Sequence, residues 1–294
     1  MANDEPTLPN GTLIGGYRVD GLLGRGSWGV VYRATQLSLN RAIALKLLSP
    51  EACQEQDFLE RFRREALLQG GLDHPHIVPI HETGLSEHGP YIAMRMVPGP
   101  TLKDLILAGT LDIERTLRIL VPVADALDVA HEAGMTHRDV KPQNILIGMR
   151  DHAFLVDFGS IRAHELAPLT GVGQFVGTID YAAPEQIQGE APEAATDVYA
   201  LTCVLFECLT GTVPFQLPTD AAVLYAHIAR PVPLATERRA DLPDDIDAVI
   251  ATGMAKSPAE RYSTTTELVR DAARALGAAD HPILTLGDPE RPPS

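Results

Sequence analysis

Three glycines near the start of the chain have a spacing that suits phosphate binding. Gly24, Gly26 and Gly29 stand in LeuGlyArgGlySerTrpGlyValVal, a GxGxxG pattern that follows a predicted strand. The same spacing occurs in dinucleotide-binding folds, where the glycines open a helix, and in plain flexible turns. Here ValValTyrArg at 30–33 continues as a second strand. The pattern therefore favours a glycine-rich hairpin that closes over phosphates.

Charged side chains further along could serve the same phosphates. Lys46 ends the apolar run IleAlaLeuLys, and Glu65 lies nineteen residues later. A buried lysine usually has an acidic partner, so these two could form an ion pair, although two solvated charges are an equal alternative for the pair alone. Two later segments, HisArgAspValLysProGlnAsn and AspPheGly, add four polar residues: Asp139, Lys141, Asn144 and Asp157.

The elements that would position these residues begin with a β-rich front part. Short apolar segments between glycine or polar turns predict strands at 17–20, 30–33 and 42–48. Apolar residues at helical spacing predict one amphipathic helix from Phe58 to Leu72 among them. ProGly at 98–99 is expected to join this part to the next.

The remainder of the chain is predicted to be mostly helical. One helix face runs through Leu117, Leu120, Ala124, Leu127 and His131, and Pro122 is expected to kink or shorten that helix. The two ends, 1–16 and 277–294, are rich in proline or glycine and lack hydrophobic periodicity, so we expect both to be flexible.

Composition restricts the function classes. The 294 residues are 45% hydrophobic and 21% charged, as in ordinary globular proteins. A net charge of -15 would repel phosphate backbones, so no nucleic-acid partner is expected. The longest stretch without an acidic or basic residue, 166–179, contains Pro168 and three glycines, and the start lacks a signal peptide. We therefore predict no membrane span and a cytoplasmic location. The three cysteines form no CxxC pair and read as buried apolar residues.

Taken together, the motifs resemble the eukaryotic-like serine/threonine protein kinases of bacteria. The glycine loop, Lys46, Glu65, HisArgAsp, AspPheGly and GlyThrIleAspTyrAlaAlaProGlu at 177–185 stand in the order of that family. The resemblance covers about 17–276 and implies an α+β, bilobal protein kinase fold. Its β-rich N-lobe, 17–97, would contain one regulatory helix, and its C-lobe, 98–276, would be mainly α-helical.

The resemblance also implies catalytic roles. Lys46, held by Glu65, would pair with the α- and β-phosphates of ATP, and Asn144 and Asp157 would hold Mg²⁺, for which Mn²⁺ is an acceptable substitute. Asp139 would accept the proton of the substrate hydroxyl. Lys141 would steady the γ-phosphate and marks serine/threonine specificity, and Thr178 resembles the threonine that bonds to this loop. Of only four lysines in the chain, two stand in these motifs.

Nucleotide binding by the same resemblance would involve the N-lobe and one C-lobe residue. The nucleotide-binding residues expected in and beside the glycine loop are Leu23, Gly24, Arg25, Gly26, Ser27, Trp28, Gly29, Val30 and Val31. Those expected around adenine are Val31, Ala44, Met94, Arg95, Val97 and Leu146. Arg95 and Val97 would act through backbone groups. Many relatives have glutamate at the position of Arg95, so contacts on the ribose or peptide side would differ here.

Further residues match the family's control and scaffold positions. Thr170 corresponds to an activation-loop phosphosite, and the cations expected around its phosphate are Arg61, Arg138 and Arg162. Glu185 and Arg261 match a buried ion pair. Asp197 could cap its own helix or, as in the family, brace the catalytic loop. Two departures are Val172, where relatives have a second threonine, and Gln69, where they have an apolar residue.

Two rival functions remain beside an ATP-dependent kinase of serine and threonine in protein substrates. A pseudokinase would bind nucleotide as a scaffold without catalysis, and a small-molecule kinase would use a related fold. The intact polar motifs disfavour the first, and the 177–185 segment with Asp197 and Arg261 disfavours the second. A metal cluster of His74, His76 and His81 is a remote alternative to loop anchoring. We expect a weak homodimer, and either a soluble kinase or a catalytic fragment of a longer protein.

Overall fold

The computed structural model describes residues 7–26, 29–48, 62, 66–158 and 179–278. The chain divides into two compact units. Unit 1 comprises 1–73 and 78–98, and unit 2 comprises 74–77 and 99–294. A four-residue stretch of unit 2 therefore interrupts unit 1 in sequence.

Unit 1 is built on an antiparallel sheet. Its strands, as far as the structure describes this unit, are β1 (Leu13–Ile14), β2 (Tyr17–Gly26), β3 (Gly29–Gln36), β4 (Arg41–Leu48), β5 (Ile80–Ser86) and β6 (Gly89–Arg95). Their order in the sheet is β1-β2-β3-β4-β6-β5. Alternate residues of β3, namely Val30, Tyr32 and Ala34, are buried, which is the period-two pattern of a sheet with one covered face.

The N-terminal end differs from the flexible stretch expected over 1–16. Leu13 and Ile14 pair with Arg18 and Tyr17 in the sheet, and Ile14 is fully buried. The backbone N–H of Leu8 also donates to the Tyr32 hydroxyl at 3.1 Å. A two-residue strand is too short to show a periodic sequence pattern, and pairing with β2 supplies the order.

The helix predicted over 58–72 is described only in part. Phe62 and residues 66–70 are helical, and Phe62 and Ala66 are buried. Gln69 lies in this helical stretch and is half-buried. Residues 71–72 are described and are not helical, so the helix ends at Gly70, two residues before the predicted end. Residues 58–61 and 63–65, which include Arg61 and Glu65, lie outside the described residues.

Unit 2 is mainly helical. Its described helices are α1 (Leu102–Leu107), α2 (Ile113–Glu132), α3 (Pro184–Gln188), α4 (Ala194–Thr210), α5 (Asp220–Ala229), α6 (Asp245–Gly253) and α7 (Thr265–Ala275). A small hairpin of β7 (Ile145–Ile147) and β8 (Ala153–Leu155) accompanies them. Almost every residue of α4 is buried, so this helix forms the centre of the unit.

Helix α2 corrects the expectation that Pro122 shortens it. Pro122 lies inside it, yet the helix runs unbroken for 20 residues. Proline removes one backbone hydrogen bond, a local loss. The flanking Val121 and Val123 are buried, and packing of this kind supplies most of the stability of a helix in a folded protein.

The 74–77 segment is held by unit 2. His74 Nε2 lies 3.0 Å from an Asp125 carboxylate oxygen, and the backbone N–H of Leu155 donates to the His76 carbonyl at 2.7 Å. Ile77 also bridges to Leu155 and is buried. These contacts hold within unit 2 a short segment that lies between β4 and β5 in sequence.

Candidate active site

The loop at 137–144 brings three polar side chains together. Lys141 Nζ lies 2.8 Å from Asp139 Oδ2. Asn144 Nδ2 donates to the same carboxylate oxygen at 3.0 Å and to the Asp139 carbonyl at 2.8 Å. A single 3₁₀ turn, Pro142–Asn144, ends the loop and returns the asparagine toward the aspartate. The Asp139 carboxylate is thereby fixed between a cation and an amide donor.

Asp197 holds the beginning of this loop. Its carboxylate is fully buried and accepts the backbone N–H groups of His137 at 2.7 Å and Arg138 at 2.8 Å. Arg138 has φ of 67°, a left-handed conformation that costs a non-glycine residue free energy. Of the two readings open for Asp197, its oxygens therefore serve the loop, and Glu193 occupies the N-cap of α4.

His131 of α2 is a further partner of the Asp197 carboxylate. Its Nε2 lies 2.7 Å from Asp197 Oδ2, and its Nδ1 lies 3.8 Å from Asp128. Burial opposes the charged imidazole, but hydrogen bonds to Asp128 and Asp197 outweigh burial and raise the pKa of His131 to about 9. Asp128 in turn accepts the backbone N–H groups of Thr265 and Thr266 at the start of α7. A buried chain of charges thus connects α7 to the loop.

His137 ties the loop to the AspPheGly segment. Its Nδ1 accepts the Asp139 backbone N–H at 3.3 Å, so its Nε2 carries the proton that is donated to the Val156 carbonyl at 3.0 Å. Burial lowers the pKa of His137, which favours this neutral form. Its ring lies 4.6 Å from that of Phe158. Asp157, which lies between Val156 and Phe158 in sequence, has φ of 59° and is a second strained position beside the loop.

In unit 1, strand pairing positions the residues expected to bind nucleotide. Val31 pairs with Lys46 across β3 and β4, and Ala44 pairs with Met94 across β4 and β6. Gly29 has φ of 145°, and a Cβ atom there would lie 1.9 Å from the Leu47 carbonyl oxygen. Only glycine allows β3 to approach β4 so closely.

Other expected nucleotide contacts have varied environments. Leu23 is 45% exposed at the end of the sheet, while Val30 and Val97 are buried. The backbone N–H of Arg95 donates to the Pro79 carbonyl at 3.0 Å, so only its carbonyl can serve an adenine edge. Leu146 belongs to unit 2, where it pairs with Phe154 in β7 and β8.

Part of the predicted site falls in stretches that the structure does not describe. Those outside the described residues are Ser27, Trp28, Arg61, Glu65, Arg162, Thr170, Val172 and Thr178. The expected ion pair of Lys46 with Glu65 and the expected phosphosite cluster therefore stay predictions.

The segment after residue 178 is hydrogen-bonded to the 137–144 loop and held by a buried ion pair. Gln186 donates from Nε2 to the Arg138 carbonyl at 2.9 Å and accepts the Ala183 backbone N–H through Oε1. Glu185 forms a bidentate pair with Arg261, with both contacts at 2.8 Å. Burial raises the pKa of Glu185, but the bonds from Arg261 outweigh it and the net pKa is lowered. The carboxylate therefore stays ionised inside the protein.

Sequence reasoning missed the roles of His131 and Gln186, and it missed an ion pair of Lys103 with Glu207 at 2.5 Å. The partners are far apart in sequence, and their side chains carry no motif. The one signal in the sequence was the rarity of lysine, because Lys103 is one of only four lysines in the chain.

The histidines at 74, 76 and 81 do not converge on a metal. His74 contacts Asp125, His76 Nδ1 lies 2.7 Å from the Ala153 carbonyl, and His81 is exposed in β5. Among the described residues, no three His, Cys, Asp or Glu side chains are placed to bind one metal ion. Within that same part of the chain, no helix has the length and apolar character needed to cross a membrane.

Comparison with known proteins decides the family. The model of the protein kinase domain matches residues 17–272. The chain belongs to the protein kinase family. Serine/threonine-protein kinase PknE of Mycobacterium tuberculosis is 44% identical over 271 residues, which are 92% of this chain and 48% of that protein. PknD of the same species is 42% identical over 95% of this chain and 43% of its own length.

Solved structures agree on the fold. The crystal structure of the M. tuberculosis PknI kinase domain matches with a TM-score of 0.76 and 28% identity, over 92% of this chain and all of that one. The bilobal protein kinase fold expected from the motifs is confirmed. The chain spans about half the length of the curated relatives that it matches.

Proposed function

We propose that this kinase domain transfers the γ-phosphoryl group of ATP to serine and threonine hydroxyls of protein substrates. The observation that carries the proposal is the convergence of Lys141 and Asn144 on the Asp139 carboxylate. The names of the relatives, which are serine/threonine-protein kinases, support the same reaction.

In the proposed reaction the Asp139 carboxylate orients the substrate hydroxyl and accepts its proton. The hydroxyl oxygen forms a bond to the γ-phosphorus as the bond to the β,γ-bridging oxygen breaks, and ADP leaves with that oxygen. Lys141 neutralises charge that develops on the transferred group. Lys46 on β4 would contact the other phosphates.

The residues present fit a magnesium ion. Asn144 commits its Nδ2 to Asp139, which leaves the amide oxygen as its free ligand atom, and Asp157 supplies a carboxylate. Oxygen ligands of this kind suit Mg²⁺, and Mn²⁺ accepts them as well. When bound, the ion would neutralise phosphate charge.

The experiment compares the purified chain with Asp139→Asn in the presence of Mg-ATP and a library of serine- and threonine-containing peptides. Asp241→Asn, a change of the same type at a carboxylate that is 68% exposed, is the control. We expect transfer by the wild type and the control and a loss of at least about a hundredfold in Asp139→Asn. Equal transfer by all three would reject the role of Asp139. ATP binding without transfer by any of them would favour the pseudokinase alternative.

We also propose activation by autophosphorylation at Thr170. Support comes from Arg138, whose backbone is fixed by Asp197 beside Asp139, so a phosphate bound by its guanidinium would be linked to the catalytic loop. Mapping of phosphosites should find Thr170 modified in the wild type, and Thr170→Ala should lower peptide transfer. Thr110→Ala, an exposed threonine, is the control. Full activity of Thr170→Ala would end this part of the proposal.

The expected weak homodimer, a role in signalling and a cytoplasmic location stay predictions. Sedimentation of the purified chain over a range of concentrations tests the first of them.

A further inference from the structure

Lys256 lies against two aromatic rings in unit 2. Its Nζ lies 5.1 Å from the centre of the Phe215 ring and 5.9 Å from the centre of the Tyr199 ring. Both aromatic residues are buried, Tyr199 in α4 and Phe215 in the loop that follows α4. The lysine itself is half-buried, so its ammonium group is partly withdrawn from water while the residue keeps some contact with solvent.

The polar contacts of this ammonium group are weak. It donates to the Ala226 carbonyl, near the end of α5, at 3.3 Å. No carboxylate in the described part of the chain forms an ion pair with it. By contrast, Lys103 is paired with Glu207 at 2.5 Å. A neighbouring aromatic ring replaces only part of the solvation that a buried ammonium group loses.

The titratable neighbours of Lys256 supply no negative charge. The Arg261 guanidinium lies 4.9 Å from the centre of the Tyr199 ring, so two cations share one ring. His227 Nδ1 lies 2.8 Å from the Tyr199 hydroxyl oxygen. Burial and the charge of Lys256 lower the pKa of His227 to about 3, so the imidazole is neutral. Burial raises the pKa of the Cys203 thiol, which therefore stays protonated.

These surroundings favour the neutral amine. Burial lowers the pKa of Lys256 to about 8, and the charge of Arg261 acts in the same direction even though Glu185 is bound to that guanidinium. A lysine becomes a nucleophile when it is desolvated in an apolar pocket or placed beside another cation. Lys256 meets both conditions.

We propose that Lys256 is a site of covalent acylation by acyl phosphates. The neutral Nζ attacks the carbonyl carbon, and a C–N bond forms as the bond from that carbon to the phosphate oxygen breaks. Inorganic phosphate leaves and takes the proton that the amine loses. The amide product is uncharged, so the cation contacts with both rings are lost. The partial burial of Lys256 favours a small acyl donor. This modification does not depend on the proposed kinase reaction.

The test compares lysines within the same chain, which has only four. The purified chain is treated with acetyl phosphate between about pH 6.5 and 9.5, and mass spectrometry gives the acylation rate at each lysine. Lys103 is the matched comparison, because its side chain is 26% exposed and its ammonium group is held by Glu207. Near neutral pH we expect Lys256 to react at least about tenfold faster than Lys103, since the neutral fraction of an amine grows tenfold for each pH unit by which its pKa falls.

Two further measurements attribute the reactivity to the folded surroundings. The rate at Lys256 should level off above about pH 8. In concentrated urea, where the aromatic rings and Arg261 no longer surround it, Lys256 should react at the same rate as Lys103. Lys256→Arg identifies the modified peptide, because it should remove the label at this position and leave the rate at Lys103 unchanged.

Faster reaction of Lys256 in the folded chain, lost in urea, would support the proposal. A ratio of the two rates that is no greater in the folded chain than in urea would overturn it. A rate at Lys256 that keeps rising with pH in parallel with that of Lys103 would also overturn it, because the difference would then come from exposure alone.

Discussion

His131 and Asp197 lie side by side inside the helical unit, with the imidazole Nε2 2.7 Å from a carboxylate oxygen. Their side chains are 10% and 0% exposed. The same carboxylate accepts the backbone N–H groups of His137 and Arg138, so His131 and the loop that carries Asp139 share one buried anion.

The first prediction concerns pH and stability. The pKa of His131 is about 9 in the folded chain and about 6.5 when unfolded, so its contribution is complete below pH 6.5 and disappears as pH rises through 9. In His131→Gln the advantage of the wild type should shrink by up to about 3 kcal/mol over that interval. Urea unfolding at several pH values measures it. The surface variant His88→Gln should follow the wild type, and a parallel curve for His131→Gln would contradict the shift.

The second prediction separates support of the catalytic loop from support of the fold. Asp197→Ala removes the acceptor of two loop amides and leaves His131 without its buried partner, so both stability and activity should fall. Asp247 is a matched control, because it likewise accepts two backbone N–H groups, those of Ala235 and Thr236, elsewhere in the unit.

Unfolding free energies and peptide phosphorylation should be measured for both variants. We expect Asp247→Ala to lose about 1–3 kcal/mol while the folded enzyme remains active, and Asp197→Ala to lose nearly all activity even where folded. Equal activity of the two folded variants would show that Asp197 is only a structural residue.

The third prediction concerns the pair of Glu185 and Arg261. Each single variant, Glu185→Gln or Arg261→Met, should cost about 3–5 kcal/mol because it strands a buried charge. The double variant should cost less than the sum of the two. A double-mutant cycle on urea unfolding gives the coupling, and the exposed pair of Asp271 with Arg274 should show less than about 1 kcal/mol. Additive costs at Glu185 and Arg261 would contradict the pairing.

The fourth prediction concerns the close approach of β3 to β4. Gly29→Ala places a Cβ against the Leu47 carbonyl in a conformation unfavourable to alanine, so stability should fall by more than about 1 kcal/mol and Mg-ATP affinity should weaken. Gly21→Ala in β2 meets no atom within 4 Å and is the control. Thermal unfolding and calorimetric titration measure the two effects. Equal behaviour of both variants would exclude a special role for Gly29.

Much of the architecture could be predicted from local pattern, and its limits are instructive. The apolar runs located β2, β3 and β4, but the strands extend to the turn, where Gln36 pairs with Arg41. Those polar residues are ordered by ladder hydrogen bonds with their neighbours, which no single-strand pattern contains. The expectation that Pro122 shortens its helix was wrong for a related reason. Packing of the buried residues around Pro122 outweighs the loss of one backbone hydrogen bond.

The candidate site shows the same division. Asp139, Lys141 and Asn144 stand within six residues of one another, so their convergence follows from a short motif. Lys103 and Glu207 are separated by 104 residues, and only the packing of α1 against the remainder of unit 2 makes them a pair. Long-range pairs of this kind require the three-dimensional fold.

The insertion of 74–77 into unit 2 has a consequence for dissecting the chain. A fragment that ends at Pro98 would include His74 and Ile77 but would lack their partners, Asp125 and Leu155. A fragment that begins at Gly99 would expose the groups that those two residues cover. The boundary at 98 and 99 is therefore an unsuitable cleavage point for producing either lobe alone, and a separable helical lobe would need the four-residue loop reattached by circular permutation or supplied as a peptide.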